Sequence, residues 1–178
     1  MRLFVGIPLA ETVRAELDRV VARMKPKLAG WRWSPPESWH ITLQFLGNAS
    51  PEQYAQLISQ LGAIQSPRAP IELGCLDLFD RAGVFFVDVQ VLPALAALQK
   101  KVESATAPCG FVAEPRPYHP HITLARLKGG KRGAGPRSPG LKPPQQLPSF
   151  AASEFVLYES FLSSEGSHYE VRAHFSLI

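Results

Sequence analysis

The chain has 178 residues, of which 46% are hydrophobic and 19% charged, which suits a soluble globular protein with a real core and excludes a disordered chain. Its formal net charge of +4 favours an anionic ligand without requiring one. Two cysteines, Cys75 and Cys109, lack CxxC or metal-ligand spacing, and no apolar run reaches membrane-spanning length or has a signal-peptide layout, so a cytoplasmic protein with reduced thiols and no membrane contact is expected.

Residues 2–7 read as a first strand. A helix follows, with apolar positions Val13, Leu17, Val20, Val21, Met24 and Leu28 at helical spacing, Pro8 and Glu11 at its start and Pro26 and Gly30 at its end. After a turn rich in Trp and Pro comes a strand with the sequence WHITLQFLG, stopped near Gly47-Asn48. Ser50-Pro51-Glu52 then supplies an N-cap, a Pro at the first helical position and an early acidic residue. Tyr54, Leu57, Ile58, Leu61 and Ile64 form the buried face of this second helix.

Residues 71–79 and 84–91 predict a hairpin across Asp80-Arg81-Ala82-Gly83. Leu95, Leu98 and Val102 mark a third helix, and a second strand, HPHITLAR, follows it. From Arg126 to Lys142 the chain carries six basic residues, no acidic ones and five glycines. Such a stretch buries too little apolar surface to order itself, so residues 127–149 are expected to form a flexible basic loop. Strands over 155–162 and 169–177, joined by Ser163-Ser164-Glu165-Gly166, close the chain. The order strand, helix, motif strand occurs twice, as a pseudo-symmetric α+β fold requires.

The two motif strands carry the same word 81 positions apart, His40-Ile41-Thr42 and His121-Ile122-Thr123. Strand alternation puts His40, Thr42 and Gln44 on one face and Ile41, Leu43 and Phe45 on the other; it likewise sets His121 and Thr123 against Ile122 and Leu124. If the two polar faces meet across a cleft, two imidazoles and two hydroxyls converge on one ligand. One imidazole can be neutral while the other is cationic near pH 7, which supplies a general base and a general acid together. Opening a cyclic phosphodiester needs both, and threonine hydroxyls can hold the phosphate oxygens.

RWSPPESWHITLQFLG and RPYHPHITLAR resemble the paired signatures of the 2H phosphoesterases, most closely the RNA 2′,3′-cyclic phosphodiesterases, also called 2′-5′ RNA ligases. The opening RLFVGIPL and the closing VLYESFLSSEGSHYEVRAHFSLI fit as well, so the resemblance spans nearly the whole chain. It implies a single bilobal domain over 1–178, with antiparallel sheets, helices on their outer faces and a metal-free site in the central groove. By the same resemblance His40 is the proton donor to the leaving 3′ oxygen and His121 the proton acceptor from water, and the hydroxyls of Thr42 and Thr123 read as the phosphate holders. The substrate implied is RNA with a 2′,3′-cyclic phosphate end, or a small cyclic nucleotide, acted on by a monomer without cofactor. The sequence departs from the family near its end, where Gly166-Ser167-His168-Tyr169 replaces the common Gly-Pro before a Tyr.

Two other readings of the same groups stand open: joining or cleaving 2′-5′ linkages, and a non-catalytic RNA-end or nucleotide binding module. Arg126 matches the HITLAR pattern and is a candidate substrate contact, yet strict alternation sets it opposite His121, so a bend is needed to bring it into the site. His119 and His121 form a His-Xaa-His pair, but Pro120 intervenes and no carboxylate or thiol lies close in sequence, so no metal is expected. Trp31, Trp33 and Trp39 serve either as base-stacking platforms or as packing anchors, with packing expected for at least one. The basic loop is either an RNA clamp or a solvated connection, and His168 and His174 read as structural or surface residues.

Overall fold

The computed structural model describes residues 1–79, 82–127, 147–163 and 166–178. In chain order the elements are β1 (Arg2–Pro8), α1 (Glu11–Met24), β2 (Trp31–Trp33), β3 (His40–Asn48), α2 (Pro51–Gly62), β4 (Ala69–Ile71), β5 (Leu73–Phe79), β6 (Val84–Val89), α3 (Pro93–Thr106), β7 (His121–Leu127), β8 (Phe150–Ala152), β9 (Glu154–Ser163) and β10 (Gly166–Ser176). Among the described residues they form two four-stranded sheets, ordered β10-β9-β1-β3 and β2-β7-β6-β5, and a small β4-β8 pair. Every pairing is antiparallel.

The fold is α+β, two-lobed and pseudo-symmetric. β1-α1-β3 in one lobe corresponds to β6-α3-β7 in the other, with β9 flanking β1 as β5 flanks β6. Val13, Leu17, Val20 and Val21 of α1, Leu57 and Leu61 of α2, and Leu95, Leu98 and Val102 of α3 join Val5, Ile7, Ile41, Leu43, Val87 and Ile122 in one apolar cluster. Burying each such side chain stabilises the fold by about 1.5–3 kcal/mol. The helices thus cover one side of the motif strands and leave the histidine side for the groove.

Ser50 caps α2 as its sequence predicts: its Oγ accepts the Gln53 N–H at 3.2 Å, and the Ser50 N–H donates to Gln53 Oε1 at 3.0 Å. A reciprocal box of this kind is worth about 1 kcal/mol. The β5–β6 hairpin forms as expected, with Gly83 at φ 58, a left-handed conformation that side chains resist.

Three short strands depart from the sequence reading. β2 lies inside the predicted Trp- and Pro-rich turn, and the strand predicted over 71–79 breaks at Glu72 into β4 and β5, because β4 pairs with β8 instead of β6. Three-residue strands carry no periodicity to read; only their partners define them. The predicted loop over 127–149 starts one residue later, since Leu127 belongs to β7, and Leu147 within it is buried in the core. The rest of that basic segment, like Asp80, Arg81, Ser164 and Glu165 of the predicted turns, lies outside the described residues.

Candidate active site

β3 and β7 carry the same burial sequence over HITLQFL and HITLARL: intermediate, buried, intermediate, buried, buried, exposed, intermediate. Two consecutive buried residues mean that alternation has slipped by one, and the strand pairing shows where. On β3, Val5 of β1 faces Gln44 and Gly6 faces Thr42, which leaves Leu43 extra; on β7, Phe85 faces Ala125 and Phe86 faces Thr123, which leaves Leu124 extra. Each is a β-bulge, which adds one residue and turns the following side chains over.

The bulges correct the alternation expected beyond each threonine. Gln44 turns inward, 5% exposed, where its Oε1 accepts the Thr106 hydroxyl at 2.7 Å, and Phe45 emerges on the histidine face, 68% exposed. The equivalent slip on β7 buries Ala125 and brings Arg126 to the side of His121 and Thr123, supplying the bend that Arg126 needs. His40, Thr42, His121, Thr123 and Arg126 consequently line one cleft of about 140 Å³, together with Phe45, Arg32, Trp33 and Tyr169.

The two imidazoles are held alike. His40 Nδ1 lies 2.8 Å from the Ser38 carbonyl and His121 Nδ1 lies 2.8 Å from the His119 carbonyl. A carbonyl only accepts, so each Nδ1 is the protonated nitrogen and each Nε2 is left for a ligand. Each ring rests on aromatics from neighbouring strands. His40 lies 4.6 Å from Phe4 and 5.1 Å from Tyr169, edge-on to the latter; His121 lies 5.3 Å from Phe86 and 5.1 Å from Phe79, centroid to centroid. Gly6 allows β1 to pass beneath His40, since a Cβ there would lie 3.0 Å from the Ile41 carbonyl oxygen and 3.4 Å from the His40 ring.

Both imidazoles are pushed toward the neutral form. Burial lowers His40 to about 4, with His121 and Arg126 adding repulsion and the Ser38 carbonyl opposing it. Burial also lowers His121, against the pull of the His119 carbonyl and of Asp88. Among the described residues the cleft lining contains two arginines and no carboxylate, which suits an anion.

Several contributors were not foreseen from the sequence. Tyr118 donates its hydroxyl hydrogen to the Thr42 carbonyl at 3.0 Å, tying the approach to β7 onto β3. Asp88, paired in register with His121, places its Oδ1 2.8 Å from His119 Nε2, so a carboxylate does reach the His-Xaa-His pair from a distant strand. Among the described residues there is still no group of three His, Cys, Asp or Glu side chains suited to a metal ion. Trp31 and Trp39 are buried core anchors, and Trp33 packs against the core from the cleft wall. His168 stacks on Phe161 and His174 Nδ1 lies 2.8 Å from Glu154, structural placements as expected. The Gly166-Ser167-His168-Tyr169 departure still delivers Tyr169 to the cleft beside His40.

The family described as LigT like Phosphoesterase matches the chain twice, over residues 7–86 and 87–169, each match holding one HIT word. The RNA 2′,3′-cyclic phosphodiesterase of Bacillus subtilis is 31% identical over 94% of this chain and 92% of its own, and that of Thermus thermophilus is 32% identical over 99% and 90%. Among solved structures, Escherichia coli LigT complexed with 3′-AMP superposes with a TM-score of 0.82 at 29% identity, covering 99% of this chain and 97% of that one. No helix among the described residues is long and apolar enough to cross a membrane.

Proposed function

Because the chain belongs to the LigT-like phosphoesterases, a family of enzymes, we propose that it hydrolyses the 2′,3′-cyclic phosphate at the end of an RNA to a 2′-phosphate, using its two histidines as acid and base. The observation that carries this reading is the shared cleft: two imidazoles with matched Nδ1 anchors, two threonines and two arginines, with no carboxylate among its described lining residues.

In the proposed reaction the cyclic phosphate sits between the two HIT words, with the Thr42 and Thr123 hydroxyls donating to its non-bridging oxygens. Water attacks phosphorus and gives its proton to His121 Nε2. The bond from phosphorus to the 3′ oxygen breaks, and that oxygen takes the proton from His40 Nε2. One proton enters and one leaves the pair, so the product departs as a 2′-phosphate and exchange with solvent resets the rings. Arg126 adds positive charge to the cleft and repels protons from both imidazoles in the empty site.

His40 must arrive protonated, although burial holds it near 4 when the cleft is empty. The substrate answers this itself. A phosphodiester anion beside the ring favours the charged imidazolium, so binding draws a proton onto the donor. An RNA oligonucleotide ending in a 2′,3′-cyclic phosphate tests the proposal. Wild type should yield the 2′-phosphate, and His40→Ala and His121→Ala should each slow turnover by about 10²–10⁴-fold with the fold intact. Near-wild-type rates in both folded variants would reject it.

A further inference from the structure

The β2–β7 pairing sets Arg32 directly opposite Arg126. Residues so opposed point to the same face with Cα atoms about 4.5–5.5 Å apart, and like charges in that relation destabilise a sheet. Both side chains are exposed, both line the cleft, and neither forms an ion pair among the described residues. Two arginines opposed on one face, in a cleft with no carboxylate among its described lining residues, suit an anion.

From this we infer that Arg32 and Arg126 form a second anion subsite, which takes the phosphate on the 5′ side of the terminal nucleotide. The inference rests on the proposed cyclic phosphodiesterase reading, in which the terminal phosphate occupies the His and Thr groups. Arg126 stands three residues beyond Thr123 on the same face, one of them bulged, which at about 3.3 Å per residue is a separation of about 7–10 Å. That is the reach of one nucleotide step. The planar guanidinium fork matches phosphate oxygens in pairs, which a lysine ammonium does not. An ideal Cβ at Gly166 would lie 3.7 Å from Arg32 Nε, so the Arg32 side chain extends along the cleft toward the β10 wall. The enzyme is therefore built for substrates bearing a phosphate upstream of the reacting one, and Arg32 is a specificity-determining residue.

The test compares kcat/KM for three substrates: a nucleoside 2′,3′-cyclic phosphate, its 5′-phosphorylated form, and a dinucleotide ending in the same cyclic phosphate. Wild type should favour a substrate with the second phosphate by about tenfold or more, and Arg32→Gln should bring that ratio close to one, with Arg32→Lys between them. A gain confined to the dinucleotide identifies a phosphodiester as the occupant; a gain shared by the 5′-phosphorylated nucleotide identifies any phosphate at that place. Equal ratios in wild type and Arg32→Gln would overturn the subsite while leaving the hydrolytic reading intact, and a merely structural role for Arg32 would produce that equality. If wild type cleaves none of the three, the hydrolytic reading fails first. The subsite then stands or falls on calorimetric binding of nucleoside 3′,5′-bisphosphate against nucleoside 3′-phosphate, where Arg32→Gln should abolish a tenfold preference and an unchanged preference would refute it.

Discussion

Lowering the pH from 7 to 4.5 should destabilise the folded protein through His40 by an amount that its burial fixes. In the unfolded chain this imidazole titrates near 6.5, and in the fold it titrates at about 4. At pH 7 both forms are neutral and the group contributes nothing. As pH falls below 6.5 the unfolded chain takes up a proton that the folded chain refuses, so stability is lost progressively until pH 4, below which both are charged and the loss levels off. The shift integrates to about 2–3 kcal/mol by pH 4.5 and levels off at about 3 kcal/mol below pH 4. Urea denaturation of wild type and His40→Gln at both pH values isolates this contribution, because the carboxylates and other histidines are common to both proteins. The variant should lose about 2–3 kcal/mol less than wild type over that interval, and the His40 ring resonances should titrate near 4 in the free protein. Equal losses in the two proteins, or a ring that titrates near 6.5, would refute the argument that burial governs this group.

The same displacement shapes the rate. Since kcat/KM reports the free enzyme and both cleft histidines titrate below 6.5 when it is empty, kcat/KM should peak on the acid side of 6.5 and then fall toward tenfold per pH unit; a flat profile from pH 6 to 9 would contradict this. Gly6→Ala should overpack the β1–β3 contact by about 1–3 kcal/mol and displace His40, because the new methyl meets backbone oxygen at 3.0 Å; a folded variant with wild-type kcat would show that the close approach is immaterial. Tyr118→Phe removes the hydrogen bond to the Thr42 carbonyl on an edge strand and should cost about 1 kcal/mol in urea denaturation with a reduced kcat/KM, whereas an unchanged midpoint and rate would remove Tyr118 from the positioning of β3.

The sequence by itself determined the helices, the long strands and the paired HIT words, because each is written in local periodicity: 3.6 for α1, α2 and α3, and 2 for the first three residues of β3 and β7. The Ser50 cap was equally local, a side chain meeting backbone three residues away. What alternation misplaced begins two residues after each threonine, at Gln44 and Ala125. A bulge is defined by two residues facing one across a sheet, so nothing within HITLQFL or HITLARL announces that Phe45 and Arg126 turn toward the histidines; Val5, Gly6, Phe85 and Phe86 on the partner strands decide it. The same holds for the His40 aromatic floor, for Asp88 beside His119 and for Arg32 opposite Arg126, each a contact between residues far apart in the chain. Local patterning specified which groups the site contains, and only the pairing of distant strands decided which of them share its face.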